Sequence, residues 1–277
     1  MLIKRIKRAT KALLYDEASI LWPCPKVEIE DEPHFFFILT PPYSGSTALA
    51  KILNTAQGAA LLHDNAEGQW LVPGMRDDAR WDPAKVIHWD SVRATWLHRI
   101  QTLRANVQVD FVIEKSPPHM VRLEQLLRVF PNHSLMAFNR DPFANCASIL
   151  YRHHEPQNKT KPERIRILED LAREWLFRSG WVRKWIQEKN VVYFSYEQFC
   201  ADPEGCVSLL TPQIPALQTV QVNKAIKIKD YQRQKLENHN ARQFGNLNPR
   251  EIYAISEQLK ADSALVSFFG YEVVNGT

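Results

Sequence analysis

A chain of 277 residues with 45% hydrophobic content can bury one sizeable core, and no Gly/Ser linker or break in composition divides it, so one domain over 1–277 is expected. The formal net charge of +4 suits an anionic small-molecule ligand, and the absence of a basic-aromatic recognition motif argues against nucleic acid. Four cysteines, Cys24, Cys146, Cys200 and Cys206, show neither metal-ligand spacing nor the density of a disulfide framework, so reduced thiols in a cytoplasmic setting are expected and no metal site is implied.

Residues 1–30 form a basic N-terminal extension. From Met1 to Leu14 cations interrupt the apolar residues, which lacks the continuous apolar core of a signal peptide or membrane span. A surface helix is expected there, suited to weak contact with an anionic membrane through its Lys and Arg while Leu2, Ile3, Ile6 and Leu13 insert. The next element, a strand over 35–40, runs through Tyr43-Ser44-Gly45-Ser46-Thr47 straight into a helix over 46–57. Such a turn points successive backbone N–H groups and the positive end of a helix at one spot, where phosphate fits. It is not a Walker loop, because Thr40 stands where the first Gly is needed and Ser46 where the Lys is needed. By itself the segment reads equally as a core helix capped by Ser44, Ser46 or Thr47, with Leu49, Ile52, Leu53 and Ala56 inward.

A long loop through residue 90 follows and carries His63-Asp64-Asn65-Ala66-Glu67-Gly68-Gln69-Trp70. Beyond it come a helix at 91–105, a strand at 110–114 ending in Glu114-Lys115-Ser116-Pro117, a helix at 119–129 and a buried strand at 134–139. Arg140-Asp141-Pro142 then opens a helix over 142–153, with Asp141 suited to the cap and Pro142 to the first turn. Arg140 at the strand end and Ser148 eight residues later could reach a common anion, although each also reads as an ordinary surface or packing residue. The polar, basic segment from Arg152 to Pro162 suits either a lid that recognises an acidic acceptor or a solvated connector. An amphipathic helix at 162–189, a strand at 191–195, a helix after Pro203 and another from Pro249 complete the order, and Asn238 to Arg242 forms a polar patch without an assigned role. Alternating strands and helices predict an α/β, P-loop-like three-layer fold, a central parallel sheet flanked by helices with ligands at the strands' carboxyl ends.

Taken together, Ser44-Gly45-Ser46-Thr47, Glu114-Lys115-Ser116-Pro117, the Arg140/Ser148 pair and Val192 to Phe199 followed by Ala201-Asp202-Pro203-Glu204 resemble, in type, order and spacing, the bacterial and Golgi-type sulfotransferases that use 3′-phosphoadenosine 5′-phosphosulfate (PAPS). The resemblance covers roughly residues 35–205 and implies transfer of a sulfuryl group from PAPS to a hydroxyl on a glycan, peptide tyrosine, lipid or small molecule. It assigns the 5′-phosphosulfate to Ser44, Gly45, Ser46 and Thr47, beside which Tyr43 could donate a hydrogen bond, and the 3′-phosphate to Arg140 and Ser148. By the same resemblance Lys115 stands beside the sulfuryl group and Glu67 takes the acceptor proton; His63 and then Asp64 are the other candidate bases in that loop, and Tyr196, which follows a strand, reads either as a ring packed on adenine or as a half-core residue. One departure stands out: the family carries Lys or Arg just before the Ser-Gly pair, and this chain has Tyr43, a phenol uncharged near pH 7. A P-loop kinase, with Glu114 imitating a Mg²⁺ ligand, and a non-catalytic nucleotide-binding protein are the competing readings.

Overall fold

The computed structural model describes residues 31–228 and 232–274, so the expected N-terminal helix and Cys24 lie outside the described residues. Five strands, β1 (His34–Leu39), β2 (Ala59–Leu61), β3 (Phe111–Glu114), β4 (His133–Asn139) and β5 (Val192–Ser195), pair in parallel in the order β2-β3-β1-β4-β5. β1 is central, with Phe35 opposite Val112 of β3 on one side and His133 of β4 on the other.

The strands are apolar on both faces because both are covered, as the continuous runs in the sequence require. Side chains alternate: Phe35, Phe37, Leu39, Val112, Leu135 and Ala137 enter one core, and Phe36, Ile38, Phe111, Ile113, Met136 and Phe138 enter the other. The first core is closed by α2 (Trp89–Arg104), α3 (Leu123–Val129), α4 (Pro142–His153) and α5 (Lys161–Lys189), and the second by α1 (Ser46–Leu53), α6 (Tyr196–Ala201) and α7 (Pro203–Ser208). α5 begins with a Thr160/Glu163 capping box and presents Leu168, Leu171, Ala172, Trp175, Val182 and Trp185 inward, the stripe the sequence periodicity marks. α8 (Asn240–Phe244), α9 (Pro249–Leu259) and α10 (Ser263–Phe268) finish the chain. Among the described residues no helix is long and apolar enough to cross a membrane, and Cys146, Cys200 and Cys206 are free thiols.

Several boundaries differ from the sequence expectation, each for a local reason. α1 stops at Leu53, because the chain tightens through Asn54 and Thr55 and reverses at Gly58, whose φ is +72° and whose missing Cβ makes room for Asp110. The expected long loop contains β2, whose three residues Ala59-Ala60-Leu61 carry no alternation to read, and 3₁₀ turns at 68–71 and 78–81. The helix expected at 119–129 is a 3₁₀ turn over Pro117–Arg122 followed by α3. α6, which was not expected, starts from a capping box of Ser195 and Gln198.

Candidate functional site

The carboxyl ends of the strands open onto a cavity of about 710 Å³. Of the residues singled out from sequence, Tyr43, Gly45, Ser46, Thr47, Glu67, Lys115, Arg140, Ser148 and Tyr196 border it, and fully buried Ser44 stands behind its loop. His63 and Asp64 are not on its lining. The first is tied to Asn65 through Nδ1 at 2.5 Å, and the second forms a surface ion pair with Lys51 at 3.0 Å.

After β1 the chain enters left-handed conformations at Tyr43, φ +64°, and Gly45, φ +84°. Glycine is required at the second position, since a Cβ there would sit 2.5 Å from Cδ2 of Tyr196. Gly45 caps α1 without a side-chain hydrogen bond; its carbonyl takes the Ala48 and Leu49 N–H groups at 2.9 and 3.2 Å, while Ser46 and Thr47 border the cavity. The Ser44 hydroxyl, although buried, has no hydrogen-bond partner. A helix start of this kind, open to the cavity, is of the type that accommodates an anionic group.

On one side of the loop stands an ion pair. Lys115 Nζ donates to Glu67 Oε1 at 2.6 Å, with the two side chains only 4% and 13% exposed. Lys115 is thus paired across the sequence with Glu67, while adjacent Glu114 is bound to Gly68, Ser116 and His119. Gln69 Nε2 and Trp70 Nε1 donate to Glu67 Oε2 at 2.8 and 2.7 Å. Burial pushes the Glu67 carboxyl up, but the Lys115 charge and these donors outweigh it and hold the group below the usual carboxylate range. Two backbone devices create the juxtaposition. The Lys115 N–H donates to the Ala66 carbonyl at 2.8 Å, and Glu114 accepts from the Gly68 N–H at 2.9 Å while also binding Ser116 and His119. Beside Glu67 the wall is apolar: Trp70, Trp81, Pro117 and Pro118 border the cavity, and the Arg178 guanidinium lies 4.7 Å from the Trp81 ring centre.

On the other side stands Arg140. Its Nε donates to Asn240 Oδ1 at 2.8 Å, its Nη1 to the Tyr43 carbonyl at 3.2 Å, and its guanidinium lies over the Tyr196 ring at 4.4 Å. Nη2 is buried without a partner, a fork edge of the type that meets a phosphate. Ser148, two turns into α4, borders the same cavity. The Tyr196 ring is 4% exposed, wedged between Gly45 and Arg140, and its hydroxyl donates to the Glu237 carbonyl at 2.8 Å. Burial pushes that phenol up to about 12. Tyr43 contributes its backbone carbonyl to Arg140 and turns its ring edge-on to His153, 5.0 Å between centres. Asp141 caps α4 by accepting from the Ala144 N–H at 2.7 Å, and burial, with Glu197 nearby, pushes its carboxyl up to about 6.

Sequence reasoning missed Asn240, Glu197 and the supporting part of Glu114. The first lay within the polar patch at 238–242 and the second within the Ser195–Phe199 motif, and nothing in linear order says that they meet 43 residues apart in sequence.

A family model described as "Sulfotransferase family" matches residues 33–214. Among solved structures, the chain is similar to sulfotransferase STF9 from Mycobacterium avium, with TM-score 0.56 and 13% identity over 98% of this chain and 82% of that one. It is also similar to a sulfotransferase from Alicyclobacillus acidocaldarius, with TM-score 0.51 and 14% identity over 87% and 97%. A comparison with curated proteins returns no match.

Proposed function

The chain belongs to the sulfotransferase family, and on that premise we propose that it transfers a sulfuryl group from PAPS to a hydroxyl acceptor, with Glu67 as the base. The observation that carries this reading is one cavity with three parts: an uncapped helix start behind Gly45, the Glu67–Lys115 pair, and Arg140 with a buried free edge.

The loop from Tyr43 to Thr47 receives the 5′-phosphosulfate through its N–H groups and hydroxyls, and Arg140 with Ser148 receives the 3′-phosphate. The aromatic floor supplied by Tyr196 holds both the loop and Arg140 beside the nucleotide. Lys115 supplies the cation that position 43 lacks. Its ammonium is shared: an incoming anionic group competes with Glu67 for it, and as the cation is drawn away the Glu67 carboxylate gains basicity toward an acceptor hydroxyl. Attack in line by the acceptor oxygen breaks the bond from sulfur to the bridging oxygen, and Lys115 and the loop stabilise the charge that grows there. The wall of Trp70, Trp81, Pro117 and Pro118 suits an acceptor that carries its hydroxyl on a ring-shaped body.

A kinase reading meets two obstacles: the loop has no phosphate-binding Lys, and Glu114 is committed to Gly68, Ser116 and His119 rather than open to Mg²⁺. Thermal shift separates the two. The sulfotransferase reading expects stabilisation by 3′,5′-bisphosphoadenosine in the presence of EDTA, and a preference for ATP·Mg²⁺ overturns it.

A further inference from the structure

Arg140 is held in place by a relay that joins Glu197, inside the residues 33–214 that the family model matches, to Asn240 and Tyr271, which lie beyond them. Glu197 is its hub. Oε1 accepts from Asn240 Nδ2 at 2.5 Å and from the Asp141 N–H at 3.1 Å, and Oε2 accepts from the Tyr271 hydroxyl at 2.9 Å. Asn240 in turn accepts from Arg140 Nε at 2.8 Å. One amide orientation satisfies both contacts, because the oxygen must face a guanidinium donor and the nitrogen a carboxylate. The same segment is pinned a second time, through the Tyr196 hydroxyl, which donates to the Glu237 carbonyl at 2.8 Å and accepts from the His239 N–H at 3.1 Å.

The order of groups matters. A carboxylate directly on Arg140 would neutralise the guanidinium and compete with an anionic ligand, whereas an interposed neutral amide fixes its direction and leaves its charge for the ligand. With Nε on Asn240, Nη1 on the Tyr43 carbonyl and one face on Tyr196, the direction of the guanidinium is fixed and unpartnered Nη2 is its remaining edge. We infer that Asn240, oriented by Glu197, is a positioning residue that aims Arg140 and thereby gives the site its selectivity for a nucleotide with a 3′-phosphate. This rests on the proposed PAPS reading.

Two nucleotides that differ only in the 3′-phosphate, 3′,5′-bisphosphoadenosine and 5′-AMP, test it by calorimetry on the full chain. The wild type is expected to prefer the bisphosphate, and Asn240→Ala to lose about tenfold of that preference while its affinity for 5′-AMP stays near wild type. In an Arg140→Ala background, Asn240→Ala is expected to add no further loss, because it acts through Arg140. Asn240→Asp, which places a carboxylate against the guanidinium, is expected to lose the preference at least as far as Asn240→Ala, and melting curves confirm that each variant folds. A wild type that holds the two nucleotides equally would overturn the 3′-phosphate reading, and this inference with it. A discriminating wild type with an unchanged preference in both Asn240 variants would overturn the inference alone, as would an Asn240→Ala loss that persists undiminished without Arg140.

Discussion

Glu67→Gln separates the chemical role of the buried ion pair from its structural one. Glutamine keeps the shape and can still accept from Trp70 Nε1 or Gln69 Nε2, which lie 2.7 and 2.8 Å from the native carboxylate. It removes the charge opposite Lys115, a cation only 4% exposed. Leaving one partner of a buried pair behind costs about 3–5 kcal/mol. A chain of this size loses roughly 2–4 °C of melting temperature per kcal/mol, which sets an expected fall of about 6–20 °C. A general base is worth about 10²–10⁴-fold in turnover, or about 3–5 kcal/mol of barrier, and the proposed role of Glu67 sets the expected loss in Glu67→Gln at that size. The two effects are distinguished by the double variant Glu67→Gln/Lys115→Met, which removes both charges and is expected to regain most of the lost melting temperature while remaining as slow as the single variant or slower. The assay is single-turnover release of labelled sulfate to acceptor at saturating PAPS, beside differential scanning calorimetry. Near-normal turnover in Glu67→Gln with the expected fall in melting temperature would refute the assignment and leave the pair a structural feature.

Four further outcomes follow from the same geometry. Arg140→Ala should weaken PAPS by roughly ten- to hundredfold, the worth of a charge-assisted contact of about 1.5–3 kcal/mol; equal weakening of a nucleotide without the 3′-phosphate, measured by calorimetry, would contradict it. Lys115→Ala should depress single-turnover rates more than Tyr43→Phe, and Tyr43→Arg should preserve or raise them, because a cation near the bridging oxygen outweighs a neutral donor. Gly45→Ala should abolish nucleotide binding, since its Cβ falls 2.5 Å from the Tyr196 ring at φ +84°, and an unchanged dissociation constant would show that the loop relaxes. Asp141 has a carboxyl raised to about 6 in the folded protein from an ordinary 3.8, so its stabilising contribution is complete below the unfolded value and is lost as pH rises through about 6. Asp141→Asn, which keeps a cap acceptor, should therefore be more stable than wild type at pH 8 by about 3 kcal/mol, with the advantage gone near pH 4, as followed by denaturant melts.

The sheet and the strand-to-helix turn at Gly45 were legible because their signals are local. The run Phe35-Phe36-Phe37-Ile38-Leu39 is apolar on both faces, and Gly45 sits where a strand turns into a helix. Asp141 and Pro142 announced the start of α4 in the same way. β2 was illegible, because a three-residue edge strand takes its identity from pairing with β3 rather than from its own pattern. The Glu67–Lys115 pair was half legible: each residue was marked by its distance from the loop or its place after a strand, but their 2.6 Å contact depends on the Ala66 and Glu114 bonds across 48 residues of sequence. The Arg140–Asn240 contact, spanning 100 residues, could not be read at all, since it requires the C-terminal segment to return over the sheet edge.

The central claim, sulfuryl transfer from PAPS by this cavity, is tested most directly by incubating the protein with ³⁵S-labelled PAPS and a library of hydroxyl acceptors in EDTA, while quantifying both labelled product and 3′,5′-bisphosphoadenosine. The account predicts the two in equal amounts with at least one acceptor, and a fall of about 10²–10⁴-fold in both with Glu67→Gln. Tight binding of PAPS with neither labelled product nor bisphosphate across the library would contradict it and make the chain a nucleotide-binding protein without transferase chemistry.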